Sequence, residues 1–175
     1  MRKPYAKAID SRATELLRKF DLFSAPVNVE AVAERLGATL VFDALDDDVS
    51  GFLLREKKVA TIAVNKLHHP NRQRFTIAHE CGHLFLHADQ GDRLWVDKAY
   101  TSIFFRDASS STGDQLAEIQ ANQFAAGLLM PEALLRMHVT DELSDVDIFR
   151  LALRFQVSEQ AMTLRLVSLD VLEPA

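Results

Sequence analysis

The chain has one cysteine, Cys81, among 175 residues, so no internal disulfide can form. No apolar run approaches the roughly 20 residues that a membrane-spanning helix needs. The start, Met1-Arg2-Lys3-Pro4-Tyr5-Ala6-Lys7-Ala8-Ile9-Asp10, lacks the apolar centre of a signal peptide. Cytoplasmic residence without a membrane partner is the resulting expectation. Basic excess is missing too: 20 Lys and Arg against 25 Asp and Glu leave a formal charge of −5. That balance speaks against a nucleic-acid-binding surface spread over the whole protein, though it leaves local patches open. A hydrophobic fraction of 48% with mixed charge fits one globular domain with a small appendage.

Within this ordinary background stands Phe75-Thr76-Ile77-Ala78-His79-Glu80-Cys81-Gly82-His83-Leu84-Phe85-Leu86-His87, an HExxH motif inside a stretch of helical apolar period. On an α-helix His79 and His83 lie one turn apart on one face, so their imidazoles can converge on a single metal ion. Glu80 sits beside that face, where a carboxylate can take a proton from a water at the metal. Ile77, Cys81, Leu84 and Phe85 project roughly opposite and predict a core face. Cys81 therefore reads as a small buried hydrophobe rather than a redox sensor.

Catalytic zinc takes three protein ligands and keeps one position for water, so a third donor is required. His87 continues the i, i+4, i+8 row, but on a straight helix it stands about 12 Å from His79 along the axis, too far to share one ion. It reads as a helix-capping residue or one lying behind the ligands. Glu118 is the better candidate. It opens Glu118-Ile119-Gln120-Ala121-Asn122-Gln123-Phe124-Ala125-Ala126-Gly127-Leu128-Leu129-Met130-Pro131, a second helix able to cross the first and deliver a carboxylate.

Arg72-Gln73-Arg74-Phe75-Thr76-Ile77-Ala78-His79-Glu80-Cys81-Gly82-His83 followed by Glu118-x-x-Ala121-Asn122-x-Phe124-Ala125-Ala126-x-Leu128-Leu129-Met130-Pro131 resembles the ImmA/IrrE family of zinc metallopeptidases. Ser50-Gly51-Phe52, Ala63-Val64-Asn65, Phe105-Arg106-Asp107 and Ser110-Ser111-Thr112-Gly113 extend the likeness, which runs from about Pro26 to Pro131. The one departure in the core motif is Cys81, where an aliphatic residue is more usual. The resemblance implies one zinc ion, a donor set that manganese(II) could also occupy, held by His79, His83 and Glu118, with Glu80 as general base. It further implies a zinc endopeptidase of the bacterial or phage cytoplasm. Its substrate would be a helix-turn-helix transcriptional repressor or an antitoxin, whose cleavage switches on stress-response or mobile-element genes. The competing reading is a zinc-stabilised module that sequesters such a partner without cutting it. Oligomeric state, cleavage site and activating signal stay open at this stage.

The expected fold is α+β: a mainly helical zincin-like metallopeptidase domain over residues 1–138 and a helical, helix-turn-helix-like tail over 139–175. Ala8 to Phe20 predicts an amphipathic helix, and Val27-Asn28 caps a second one running to Leu36 before Gly37. Ala38 to Phe42, Gly51 to Leu54 and Val59 to Val64 predict a small three-stranded, largely antiparallel sheet. The Thr61 to Val64 strand or its neighbour is the candidate edge for holding a substrate in extended form. Ala88 to Gln115 reads mostly as a loop, with an apolar patch at Ile103-Phe104-Phe105 and Trp95 as a packing anchor. His68, His69 and His138 read as surface residues. In the tail, Ser158 caps a second helix after Gln156-Val157-Ser158. The outline is that of a DNA reader, but Arg150, Arg154 and Arg165 are outweighed by Asp141, Glu142, Asp145, Asp147, Glu159, Asp170 and Glu173, so direct DNA contact is disfavoured. Tyr100, His87 and backbone amides are the candidate donors to a developing oxyanion.

Overall fold

The computed structural model describes residues 4–57, 59–87, 93–97, 113–140 and 143–173. Helix α1 spans Pro4–Lys19 and α2 spans Val29–Arg35. The side-chain oxygen of Asn28 accepts the amide of Ala31 at 3.0 Å and so starts α2. Gly37, at φ +83°, then turns the chain into the sheet, a conformation that side chains disfavour.

Strands β1 (Ala38–Asp43), β2 (Gly51–Glu56) and β3 (Val59–Asn65) follow in sequence, and β4 (Arg93–Asp97) joins them later, giving the spatial order β1-β3-β2-β4. This mixed sheet has one strand more than the sequence suggested. β4 falls in the stretch expected to be loop and pairs antiparallel with β2, Trp95 opposite Leu53. β2 and β3 are antiparallel, with Leu53 opposite Ile62, while β1 and β3 run parallel, with Leu40 opposite Ile62.

Because β3 is paired on both sides, it cannot offer a free edge to a peptide, which corrects the Thr61 to Val64 half of the expected substrate edge, whereas its neighbour β1 does lie at an edge. The described edges are β1 and β4. The physical cause is the connection from β1 to β2, which passes across the end of β3 and is pinned there. Asn65, the last residue of β3 and fully buried, donates from its amide nitrogen to the carbonyls of Leu45, Asp46 and Val49 at 3.3, 3.3 and 3.0 Å.

Helix α3 (Pro70–Leu86) begins with Pro70 in its first turn and with His69 Nδ1 accepting the amide of Asn71. It lies against the sheet so closely that a Cβ on Gly51 would stand 2.5 Å from Thr76 Cγ2. On the other side α3 packs most extensively against α4 (Gly113–Leu129). Every residue from Phe75 to His83 is consequently buried, so the histidine face, like the apolar face, looks into the protein.

The remaining helices are α5 (Glu132–Arg136), α6 (Asp145–Phe155) and α7 (Glu159–Ser168). Ser144 and Asp147 form a capping box at the start of α6, and Ser158 caps α7 by accepting from Ala161. Leu151, Phe155, Met162 and Leu166 from these two helices share one buried cluster with Ile77 and Phe124. The turn between them is tied to α3 by Arg74, which donates to the carbonyls of Gln156 at 3.2 Å and Val27 at 2.9 Å. Arg165 on α7 is buried and donates to Asp10 of α1 at 2.7 Å and to the Met130 carbonyl at 3.0 Å. None of the described helices is long and apolar enough to cross a membrane.

Candidate metal centre

The site is made by two helices crossing at small residues. A Cβ on Gly82 of α3 would approach Ala121 Cα to 3.0 Å, the Ala121 carbonyl oxygen to 3.1 Å and Phe124 Cβ to 3.3 Å. The glycine and alanine bring the two backbones close, which lets a side chain as short as Glu118 reach across to α3.

Glu118 Oε2 lies 3.2 Å from His79 Nε2, and its Oε1 lies 3.2 Å from His83 Nε2. The two Nε2 atoms are 3.0 Å apart, with the rings edge to face at an interplanar angle of 78°. All three donor atoms fall within 4.8 Å of one another, and among the described residues no fourth His, Cys, Asp or Glu joins them. Three residues that the sequence placed 39 positions apart at their extremes therefore meet at one point and can hold a metal ion.

The charge states suit that role. Burial pushes the His83 imidazole down to about 4, against the pull of its hydrogen bond and charge interaction with Glu118, so the ring is neutral near pH 7. Burial alone would raise the Glu118 carboxyl, but the two imidazoles, each with Nε2 at 3.2 Å, outweigh it and hold the group well below the usual carboxylate range. The result is a carboxylate and two imidazole nitrogens converging on one point. Borderline nitrogen and hard oxygen donors in a set of three fit a catalytic zinc site, in which one coordination position is left for water or substrate.

A pH prediction follows for the metal-free protein. An unfolded histidine takes up a proton below about 6.5, whereas folded His83 does so only near 4, so between these values unfolding binds a proton and acid favours it. Glu118 acts in the same direction lower down: its stabilising contribution is present above 4.5 and is lost as pH falls through the range beneath. The melting temperature of chelator-treated protein should fall on acidification from pH 7 to 4.5, and a His83→Gln variant should show a smaller fall below about pH 6.5. Equal slopes in the two proteins would contradict the assignment.

Glu80 follows His79 directly and is fully buried. Cys81 is also fully buried, and desolvation, reinforced by the charge of Glu80, pushes its thiol upward, so it stays protonated. His87 lies outside the trio. It caps α3, its amide donating to the His83 carbonyl at 3.0 Å, and its ring centroid stands 5.7 Å from that of His83. His68 Nε2 is 3.4 Å from the Asp47 carbonyl oxygen and belongs to the pinned acidic loop, while His138 is exposed after α5. Tyr100, Ile103, Phe104, Phe105 and the Ser109 to Thr112 run lie outside the described residues, as does the side chain of Trp95. One contact had no advance reading: Asn122 of α4 lies 3.0 Å from His79 Nδ1. Its one-turn spacing from Glu118 was the available signal.

The Peptidase_M78 family, described as the IrrE N-terminal-like domain, matches residues 33–167, most of the chain and both metal-site helices. The chain belongs to this family. The matched span of this peptidase-type domain runs through α6 and α7, across the boundary expected near residue 138. Among solved structures, a Mycobacterium tuberculosis transcriptional regulator is similar in fold, with a TM-score of 0.62 at 24% identity. The match covers 92% of this chain and 46% of the regulator, so this Peptidase_M78 chain spans about half the length of that protein. No curated protein sequence matches.

Proposed function

We propose that the protein is a zinc-dependent endopeptidase that hydrolyses a peptide bond in one particular protein, a helix-turn-helix transcriptional repressor or an antitoxin. Cleavage would release stress-response or mobile-element genes, and the protein would act in the cytoplasm. The observation that supports this most is the three-donor set of His79, His83 and Glu118 with Glu80 at the adjoining position. A closed structural zinc site uses four protein ligands and has no work for a buried glutamate that is not one of them.

When bound, zinc supplies Lewis acidity, which brings the pKa of water from about 15.7 toward 7 and polarises a carbonyl. The protein's own part lies with its side chains. Glu80 takes the proton as the nucleophile forms, holds it on its carboxylate and delivers it to the leaving amine. His79, His83 and Glu118 fix the reacting centre relative to Glu80. An extended substrate segment would add to one of the two described sheet edges, β1 or β4. Direct DNA contact is disfavoured because Arg165, the one basic residue of α7, is buried against Asp10.

The test compares newly formed protein N-termini in host cells producing the wild type or Glu80→Gln, with and without DNA damage. Termini present only with the wild type establish proteolysis and name the substrate. If none form under any condition while a partner still co-purifies, the sequestering module replaces the enzyme.

A further inference from the structure

Helix α4 carries Glu118 and, one turn later, Asn122. The Asn122 side-chain oxygen lies 3.0 Å from His79 Nδ1, and both residues are buried, at 4% and 2% exposure. An amide oxygen only accepts hydrogen bonds, so the hydrogen of this contact sits on His79 Nδ1. A neutral imidazole has a single N–H. With that hydrogen committed to Asn122, His79 Nε2 is left as a bare lone pair, and it faces His83 Nε2 at 3.0 Å and Glu118 Oε2 at 3.2 Å.

We propose that Asn122 is a positioning residue of the metal centre: its buried side-chain oxygen holds His79 in the Nδ1–H tautomer and fixes the ring plane, so that Nε2 points at the place where a metal ion is held. This rests on the reading of His79, His83 and Glu118 as a metal site. One face of α4 thereby does two things, delivering one ligand and orienting another that lies on α3. Partners behind a ligating histidine are commonly carboxylates or backbone carbonyls. An amide can orient the ring without adding a further negative charge to a site that already contains Glu118 and Glu80.

Two measurements test this, and neither depends on cleavage. The first is the tautomer of His79 in metal-free wild-type protein, read from nitrogen-15 shifts of the histidine side chains. Nδ1–H is expected; Nε2–H would mean that the amide is turned the other way and would overturn the proposal, whether or not any variant folds. The second is zinc affinity by competition with a chromophoric chelator in wild type, Asn122→Asp and Asn122→Leu, with the melting temperature of each metal-free protein measured alongside. Loss of the acceptor in Asn122→Leu should weaken zinc binding roughly 10–100-fold. Asn122→Asp, which keeps an acceptor, should bind at least as tightly as wild type. Zinc affinity in Asn122→Leu within about twofold of wild type, or a melting temperature that falls in both variants with no change in affinity, would reduce Asn122 to a packing residue. A protein that binds zinc in this Asn122-dependent way yet cleaves nothing would remove the endopeptidase reading and leave this one standing.

Discussion

Glu80→Gln is expected to retain zinc while losing turnover by roughly 10²–10⁴-fold, the range that a positioned general base contributes. The substitution keeps the size of a fully buried side chain and removes only its capacity to accept a proton. Glu118→Ala should do the opposite in the binding assay and lose the metal itself. Its carboxylate faces both imidazoles, 3.2 Å from each Nε2, and without it two nitrogens remain. The affinity loss should exceed the roughly 10–100-fold typical of residues that only support a ligand. His87→Ala, outside the trio, should keep zinc. Zinc content by atomic spectroscopy, with cleavage of the substrate identified from its new N-terminus, separates these cases. A Glu80→Gln protein that cuts at the wild-type rate would end the general-base assignment, and zinc loss in His87→Ala with retention in Glu118→Ala would exchange the third ligand.

Asp10→Ala should be the most damaging change remote from the site, costing roughly 3–5 kcal/mol. Arg165 Nη2 lies 2.7 Å from Asp10 Oδ2, with the two side chains 1% and 9% exposed, and Gln123 donates to the other Asp10 oxygen at 3.0 Å. Removing the carboxylate leaves a guanidinium buried without its counter-charge. The position admits no easy rearrangement, because a Cβ on Gly127 would already come within 2.5 Å of Asp10 Oδ1. Against a total stability of about 5–15 kcal/mol such a loss is large, and at roughly 2–4 °C per kcal/mol the melting temperature should drop by about 10 °C. Replacing both partners by apolar residues, Asp10→Leu with Arg165→Met, should restore much of it, since a buried ion pair is often no better than a well-packed apolar pair. Urea denaturation of both single variants and the double variant measures the coupling. A loss below about 1 kcal/mol in Asp10→Ala would show that the pair holds nothing together.

What could be read in advance was the local part. HExxH at i, i+4 is a statement about one helix, and helical geometry brings His79 and His83 together whatever surrounds them. The Asn28 cap, the turn at Gly37 and the Ser158 cap are likewise decided within a few residues, and each stands where the sequence put it. The choice of Glu118 over His87 needed more. Helix rise argued against His87, but selecting Glu118 rested on a motif resemblance, because nothing local says which distant carboxylate will cross the helix.

The remainder belongs to the tertiary structure. Arg93–Asp97 becomes a strand because β2 presents an unpaired side to it, and the segment lies in a stretch of turn-forming and polar residues that by itself reads as loop. β3 lies in the middle of the sheet because Asn65 pins the crossing connection, and that removes the substrate edge expected there. Arg165, in the sequence only one of three arginines outweighed by the tail's acidic residues, is buried by pairing with Asp10, 155 residues earlier. The sequence by itself determined the chemistry on offer, two imidazoles and a carboxylate on one helix, since the period of a helix depends on the backbone alone. Which third ligand joins them, what holds His79 in place and which edges stay open were decided only by packing, since contacts between residues far apart in the chain depend on every element lying between them.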